Sequence, residues 1–226
     1  SLDRPFSFGC RTNGALRWDD MRSVHGVTSH SDFESLLSRS VRGDVSKMII
    51  WQKERESFPL SKAVAEPVRA GWADGKFTFH RESFDSAADL SGIIDSSLTS
   101  MFIHSTSISS PGTVIGLTGG PSSSPEVRKR VATIWNRTVI PVQTEGAASG
   151  ASVSGAVAFI HNKSQSKKSA QEILDSITTN ASWRGGIEKG VHPSKEDVVS
   201  YKHFMNVFSD FERMTLFHHR ISLMTL

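Results

Sequence analysis

Residues 112–125 read Gly-Thr-Val-Ile-Gly-Leu-Thr-Gly-Gly-Pro-Ser-Ser-Ser-Pro, and the elements on either side take their arrangement from this stretch. The segment from Thr113 to Leu117 is short, apolar and rich in β-branched residues. Because Gly and Pro bound it, we predict a buried strand. Gly119 and Gly120 follow, where glycine lets the backbone take positive φ and lets a ligand approach closely. The stretch therefore predicts a strand that ends in a glycine turn.

A helix is predicted directly after this turn. Ser124 can cap it, Pro125 suits its first position and Glu126 its first turn. Its apolar face would consist of Val127, Val131, Ile134 and Trp135. Residues 138–142 predict a second strand, and the run Gly-Ala-Ala-Ser-Gly-Ala at 146–151 opens a helix with a face of small residues. Strands that alternate with helices favour an α/β fold.

The glycine turn also predicts a binding function. A helix that begins just after such a turn presents free N–H groups and the positive end of its dipole, which favour an anion. The same motif also serves as a tight strand-to-helix connection that binds nothing. Short glycine motifs do not separate these two interpretations. A P-loop of the form G-x-x-x-x-G-K-S/T is absent from the sequence.

In sequence, these motifs resemble those of the C-terminal domain of FGGY-family carbohydrate kinases, and most of all those of the eukaryotic xylulose kinases. The nucleotide loop of that family reads approximately T-G-G-x-S-x-N, and here residues 118–124 read Thr-Gly-Gly-Pro-Ser-Ser-Ser. An acidic residue or Asn and then A-x-x-G-A/S-A follow later in the family. Residues 144–151 here read Thr-Glu-Gly-Ala-Ala-Ser-Gly-Ala. Ser124 stands where the family usually has Asn.

The resemblance implies a ribonuclease-H-like, actin-like ATPase domain with a mixed sheet and helices on both faces. Residues 1–226 would form the C-terminal, nucleotide-binding domain of a longer two-domain kinase, with 217–226 as an unassigned tail. The ligands would be ATP or ADP, with Mg²⁺, and a ketopentose such as D-xylulose would be phosphorylated. The implied nucleotide-binding residues are Gly119, Gly120, Pro121 and Ser124 on the adenosine and α-phosphate side, with Gly150 and Ala151 nearby.

Two further segments carry the resemblance. Residues 10–17 read Cys-Arg-Thr-Asn-Gly-Ala-Leu-Arg, similar to C-x-x-N-G-S-L-x-R in the family, although Asn13-Gly14 is also a common turn signal. The helix predicted for 85–105 lies where the family has a signature helix with R-A-x-x-E-G. Here Leu90–Ser97 lacks the Arg, and Asp95 stands in for Glu. The apolar stripe of this helix is explained by core packing alone.

The resemblance also implies what is not encoded in this chain. In the family, the N-terminal domain supplies most sugar contacts, the catalytic Asp and a G-T-S phosphate loop, so no residue here is assigned a catalytic role. The expected partner is the chain's own N-terminal sugar-binding domain, and we expect the isolated chain to be inactive. Two alternatives stay open: a kinase-derived regulatory or binding module, and a structural domain whose glycine turn binds nothing.

Composition sets the outer limits of function. The chain has 226 residues, enough for one large domain, and 37% are hydrophobic, but no run approaches the roughly 20 apolar residues of a membrane span. Lys and Arg are scattered at a net charge of +3, which argues against a nucleic-acid partner. The single Cys10 excludes an internal disulfide, and no metal-binding spacing of His and Cys occurs. Without a recognisable signal peptide, we expect a cytoplasmic protein.

Local patterns predict the remaining elements. Strands are expected at 5–10, 48–51 and 77–79, and residues 57–74, with two prolines, should be irregular. Residues 15–18 fit either a second strand or the start of a helix. Helices are expected at 31–40 with Ser31 as the cap, at 170–179, and from Pro193 onward. The apolar stripe of the last helix would comprise Tyr201, Phe204, Val207, Phe208, Phe211 and Met214.

Overall fold

A computed structural model describes residues 9–107, 114–142, 146–163, 169–180 and 190–217. The helices are α1 Leu16–Val24, α2 His30–Arg39, α3 Ser86–Ser105, α4 Gly120–Ser123, α5 Pro125–Trp135, α6 Gly146–Lys163, α7 Ala170–Asn180 and α8 Lys195–Glu212, which continues into a π-helical turn, Arg213–Phe217. The strands are β1 Met48–Gln52, β2 Glu56–Ser57, β3 Leu60–Ser61, β4 Val64–Ala73, β5 Lys76–His80, β6 Val114–Leu117 and β7 Thr138–Pro141.

The strands of the described residues form three small sheets. An antiparallel sheet has the order β1-β4-β5, β2 and β3 form a short antiparallel pair, and β6 and β7 are parallel. The chain is therefore α/β, as predicted. The parallel pair is in register from Val114 opposite Thr138 to Leu117 opposite Pro141, so both strands end at the same edge. Helix α4 begins at this edge, and α6 is the next described element after β7.

Helix α3 is the central element of the core. It packs against β1 so closely that a Cβ atom added to Gly92 would lie 2.3 Å from the Lys47 carbonyl oxygen. On its other sides α3 contacts α1, α2, α5 and α8. The predicted stripe of α8 faces this core, where Tyr201, Phe204, Phe208 and Phe211 are fully buried. Aromatic packing of α8 and the close approach at Gly92 thus fix α3 between the sheet and the last helix.

The prediction that residues 57–74 are irregular is wrong, because β3 and β4 lie there. Pro67 is tolerated in β4 because it falls at a break in the pairing. Ile50 pairs with Val68 and Gln52 with Val64, which leaves the strand residues around Pro67 in a bulge. Proline cannot donate a ladder hydrogen bond, but a bulge does not require one.

The starts of several elements differ from the predicted ones. Helix α2 is capped by Ser29, whose hydroxyl accepts from the Asp32 N–H at 3.0 Å, so Ser31 is not the cap. Helix α8 begins two residues after Pro193 and is capped by Ser194. Residues 16–18 belong to α1, and Gly9 and Cys10 form no strand. The rest of the strand predicted at 5–10 lies outside the described residues, as do residues 218–226 of the unassigned tail.

Strand β6 was predicted to be buried, but it is partly exposed. Val114 has 52% of its surface exposed. The reason is the size of its sheet: among the described residues, β6 pairs only with β7. The other predicted strands, β1, β5 and β7, and the helices α3, α5, α6 and α7 lie where the sequence placed them, with ends that differ by a few residues.

Candidate functional site

The glycine turn joins β6 to α4 and is open to solvent. Gly119 has a φ of +79°, so the prediction of a positive φ is confirmed at this position. Gly120 is instead the first residue of α4. Thr118, Gly119 and Gly120 are exposed, and a Cβ atom added to either glycine would meet no atom within 4 Å. A ligand can therefore approach the backbone of this turn directly.

A short helix separates the turn from α5. This helix, α4, has 4 residues. The Ser122 hydroxyl donates to the Gly119 carbonyl and the Ser123 hydroxyl to the Gly120 carbonyl, both at 2.7 Å. The helix with the apolar stripe therefore begins after this extra turn and not directly after the two glycines. The hydroxyls of residues 122 and 123 point back to the loop backbone and stiffen it.

The amino end of α5 is already occupied by protein groups. As predicted, Ser124 caps this helix: its hydroxyl accepts from the Val127 N–H at 3.1 Å, and the side chain is buried. The Glu126 N–H donates to the Glu34 carboxylate at 3.2 Å, and Pro125 has no N–H. A carboxylate of the chain thus takes the place where an anion was expected. The open backbone is that of the turn, at Gly119 and Gly120.

The fifth predicted binding residue, Gly150, lies in the first turns of α6. Ala151 follows it in the same helix, while Thr144 and Glu145 lie outside the described residues. Because β6 and β7 are parallel, both strands end at the edge of the sheet where the turn after β6 begins. The contact of Gly150 with a nucleotide stays a prediction.

A cleft of about 330 Å³ lies behind the turn, between β1 and β6. Pro121 forms part of its rim, and three tryptophans, Trp18, Trp51 and Trp135, line its apolar wall. A polar wall faces them, with side chains from the segment before α1, from β2, from α3 and from α8. The charged residues that line the cleft are Arg11, Arg17, Glu56 and Glu212. Sequence patterns did not predict this cleft, because its wall comes from distant parts of the chain.

The polar side chains of this wall hydrogen-bond to protein groups. Arg11 Nη1 donates to Ser100 Oγ at 2.8 Å, Ser100 donates to Glu212, and His104 Nε2 contacts the second oxygen of Glu212 at 2.9 Å. The carboxylate therefore lies between the hydroxyl and the imidazole. A Ser-His-acid triad needs the imidazole in the middle, so this cluster is not one. Burial lowers the pKa of Arg11 despite the attraction of the two neighbouring carboxylates.

Glu56 explains why Asn13 and Gly14 form a turn at this point. Its carboxylate accepts from the backbone N–H of Thr12 and Asn13 and from Asn13 Nδ2, the last two at 3.2 Å. Burial favours the neutral acid, but the hydrogen bonds from Thr12, Asn13 and Ser57 outweigh it and lower the pKa of Glu56. The segment that resembles C-x-x-N-G is thus anchored to β2 by one buried carboxylate.

Asp95, the residue in place of the signature Glu, is sealed inside the core. Its Oδ1 accepts from Arg130 Nη1 at 2.5 Å and from the Tyr201 hydroxyl at 2.6 Å, and its Oδ2 accepts from the Gly43 N–H at 3.0 Å. Arg130 is 0% exposed. Burial alone lowers the pKa of an arginine, but Asp95 and Tyr201 outweigh it and raise the pKa of Arg130.

The arginine that pairs with Asp95 comes from a different helix. In the motif R-A-x-x-E-G the Arg precedes the Glu by four residues, a position held here by Ser91. Arg130 approaches the carboxylate from α5 instead. The sequence contains one signal for this pairing, because Arg130 lies within the apolar stripe between Val127 and Val131. A charged residue on a buried face needs an ionic partner.

Two other findings concern the described residues as a whole. No group of three or more His, Cys, Asp or Glu side chains among them is placed to hold a metal ion. No described helix is both long enough and apolar enough to cross a membrane.

Comparison with known proteins was made at the levels of sequence and structure. No protein-family model and no curated protein sequence matches the chain. Solved structures do match. Xylulose kinase from Rhodospirillum rubrum aligns with a TM-score of 0.62 at 13% identity, over 91% of this chain and 39% of its own. This chain has a sugar-kinase fold. The actin-like ATPase architecture expected from the sequence is thereby confirmed.

Further sugar kinases align similarly. Xylulose kinase from Lactobacillus acidophilus gives a TM-score of 0.61 at 12% identity, and gluconate kinase from the same organism gives 0.59 at 12% identity. Each covers 90% of this chain, which spans 38% of each kinase. At these identities the alignments establish the fold. The chain corresponds to well under half the length of these kinases.

Proposed function

We propose that the chain is the nucleotide-binding half of an FGGY-family carbohydrate kinase that transfers the γ-phosphate of ATP to a ketopentose. ATP or ADP would bind at Gly119, Gly120 and Pro121, with Gly150 nearby on α6. Ser124 would act mainly through the backbone that it holds in place, since its hydroxyl caps α5. Mg²⁺ would accompany the nucleotide phosphates, whose charge it neutralises during phosphoryl transfer.

The exposed glycine turn carries this proposal. In open α/β sheets, ligands bind outside the carboxyl ends of the strands. Gly119 and Gly120 follow the carboxyl end of β6 and are open to solvent. Two observations support a nucleotide as the ligand of this site. They are the sugar-kinase fold and the sequence Thr-Gly-Gly-Pro-Ser of the turn.

The acceptor sugar is proposed from the resemblance of the motifs. The sequence motifs are most similar to those of the xylulose kinases, which favours D-xylulose as the acceptor. In structure, the gluconate kinase aligns nearly as well as the xylulose kinase. The remaining catalytic groups would come from an N-terminal sugar-binding domain, which makes that domain the principal partner. We therefore expect this chain alone to bind nucleotide without phosphorylating sugar.

Calorimetric titration of the chain with ADP and ATP in the presence of Mg²⁺ tests the proposal. The blocking variant is Gly120→Val, because a Cβ atom added at this position meets no atom within 4 Å and the side chain would occupy the open surface of the turn. Gly155→Val on α6 is the matched control, since that position is equally open. We expect nucleotide binding by the wild type and the control and its loss in Gly120→Val. Absence of binding by the wild type would overturn the proposal.

A second candidate is a kinase-derived domain that binds nucleotide without supporting catalysis. The environment of Asp95 favours it, because this carboxylate is buried and is engaged by Arg130 and Tyr201. Assay of D-xylulose phosphorylation by the full-length protein separates the two. Turnover supports the kinase, whereas ADP binding with no turnover on D-xylulose, ribulose, glycerol or gluconate supports the binding module.

A further inference from the structure

The proposed nucleotide turn is mechanically connected to the buried Arg130. Residues 118–124 join β6 to α5, and Arg130 lies five residues beyond Pro125, about 7.5 Å along the helix axis at 1.5 Å per residue. The turn therefore ends on a helix whose placement depends on how its side chains are held. Any shift of α5 moves one end of the turn.

The Arg130 guanidinium joins α5 to three other helices. It donates to Asp95 on α3 and, at 3.4 Å, to the Tyr201 hydroxyl on α8. Its second terminal nitrogen donates to the Leu37 carbonyl at 3.3 Å and to Ser40 Oγ at 2.8 Å, both at the end of α2. These contacts come from different directions, so they restrict both rotation and sliding of α5.

The first turn of α5 is held separately. Arg42 donates to Glu126 at 2.7 Å and to Asp197 on α8 at 2.8 Å. These ion pairs lie closer to the turn than Arg130. Arg42 and Asp197 are partly exposed, whereas Glu126 is buried. Arg130 and Asp95 differ from them in that both members of the pair are fully buried.

We propose that Arg130 is a positioning residue for nucleotide binding. By locking α5 to Asp95 and Tyr201, it fixes the backbone of Gly119 and Gly120 in the geometry that the nucleotide contacts. This inference rests on the proposed function of the turn. Misplacement of a binding group by about 1 Å is enough to lose much of its effect, so the affinity for nucleotide should respond to a residue that never touches it.

The test compares two buried ion pairs on the same helix. Arg130→Met breaks the pair between α5 and α3. Arg69→Met breaks the pair with Asp89, which joins β4 to α3 through two 2.8 Å hydrogen bonds and involves no atom of α5. ADP affinity is measured by calorimetry at a temperature where both variants are folded by circular dichroism. We expect affinity to fall at least tenfold in Arg130→Met and less than threefold in Arg69→Met.

A milder variant covers the case in which Arg130→Met does not fold. Tyr201→Phe keeps the ring and removes only the hydroxyl that donates to Asp95. We expect it to weaken ADP binding about threefold and to speed amide exchange of residues 126–128 while exchange in β1 is unchanged. Equal ADP affinity in the wild type, Arg130→Met and Tyr201→Phe overturns the inference and leaves the proposed function intact. If the wild type itself binds no ADP, the proposed function fails and this inference fails with it.

Discussion

Gly92 of α3 lies against the Lys47 carbonyl, with only 2.3 Å between that oxygen and the position that a Cβ atom would take. The contact brings the central helix onto the start of β1. Because the obstacle is backbone, it cannot move aside as the end of a flexible side chain would. The absence of a side chain at residue 92 is therefore a condition for the packing of α3.

We expect Gly92→Ala to lower the free energy of unfolding by about 3 kcal/mol, at the upper end of overpacking effects. Guanidinium unfolding followed by circular dichroism measures this. Gly155→Ala is the control, because that helical position has no neighbour within 4 Å and alanine there should add about 0.5–1 kcal/mol. Equal stability of Gly92→Ala and the wild type would show that α3 does not approach Lys47 this closely.

The effects of substitutions at Asp95 and Arg130 on the free energy of unfolding should be coupled. Removal of one partner leaves a buried charge without compensation, which costs about 3–5 kcal/mol. We therefore expect Asp95→Asn and Arg130→Met each to be strongly destabilised and the double variant to be less so than the sum of the two. A double-mutant cycle of unfolding free energies gives the coupling. Additive losses would contradict a direct pair.

Glu56 should make stability depend on pH. Its pKa is lowered in the folded state, so the ionised form stabilises the fold above the unfolded value near 4.5, and this contribution is lost as pH falls through the folded pKa. We expect Glu56→Gln to be less stable than the wild type at pH 7 and the gap to narrow below about pH 4.5. Unfolding curves at a series of pH values test this. A gap that is constant from pH 7 to pH 3 would refute it.

Ser124 caps α5 and stands where the FGGY family usually has Asn. The effect of this difference on stability can be tested. Ser124→Ala removes the acceptor for the Val127 N–H and should cost about 1 kcal/mol. Ser124→Asn, which restores the residue usual in the FGGY family, retains a capping side chain and should leave stability nearly unchanged. Thermal unfolding of both variants provides the comparison. Equal losses in the Ala and Asn variants would mean that the cap depends on the size of serine in its buried site.

Local patterns in the sequence predicted most of the elements that surround the site. The cap at Ser124, the positive φ at Gly119 and the strand that follows α5 all come from short-range rules. Strand β4 was missed because a proline usually ends a strand, and only the bulge opposite residue 51 makes it acceptable. That bulge depends on pairing with β1, which no local pattern contains.

The candidate site was predicted less completely than the fold. The occupation of the α5 amino end by Glu34 was not foreseen, because 92 residues separate this carboxylate from the Glu126 N–H that it contacts. Likewise, Arg130 and Asp95 meet only after α3 and α5 pack together. The sequence carried one hint, an arginine between Val127 and Val131, but charge on an apolar stripe indicates a partner without naming it.

The hydrogen bond from Tyr201 to Asp95 spans 106 residues of chain, and it has a consequence for the order of folding. Contacts this distant in sequence form late, because closing a long loop costs entropy before any contact is gained. During synthesis, α3 and α5 leave the ribosome before α8. Tyr201 can therefore cover the pair of Asp95 and Arg130 only after α8 has been made. Until residues 195–212 have been synthesised, Asp95 lacks the hydrogen bond from Tyr201 that it has in the folded domain.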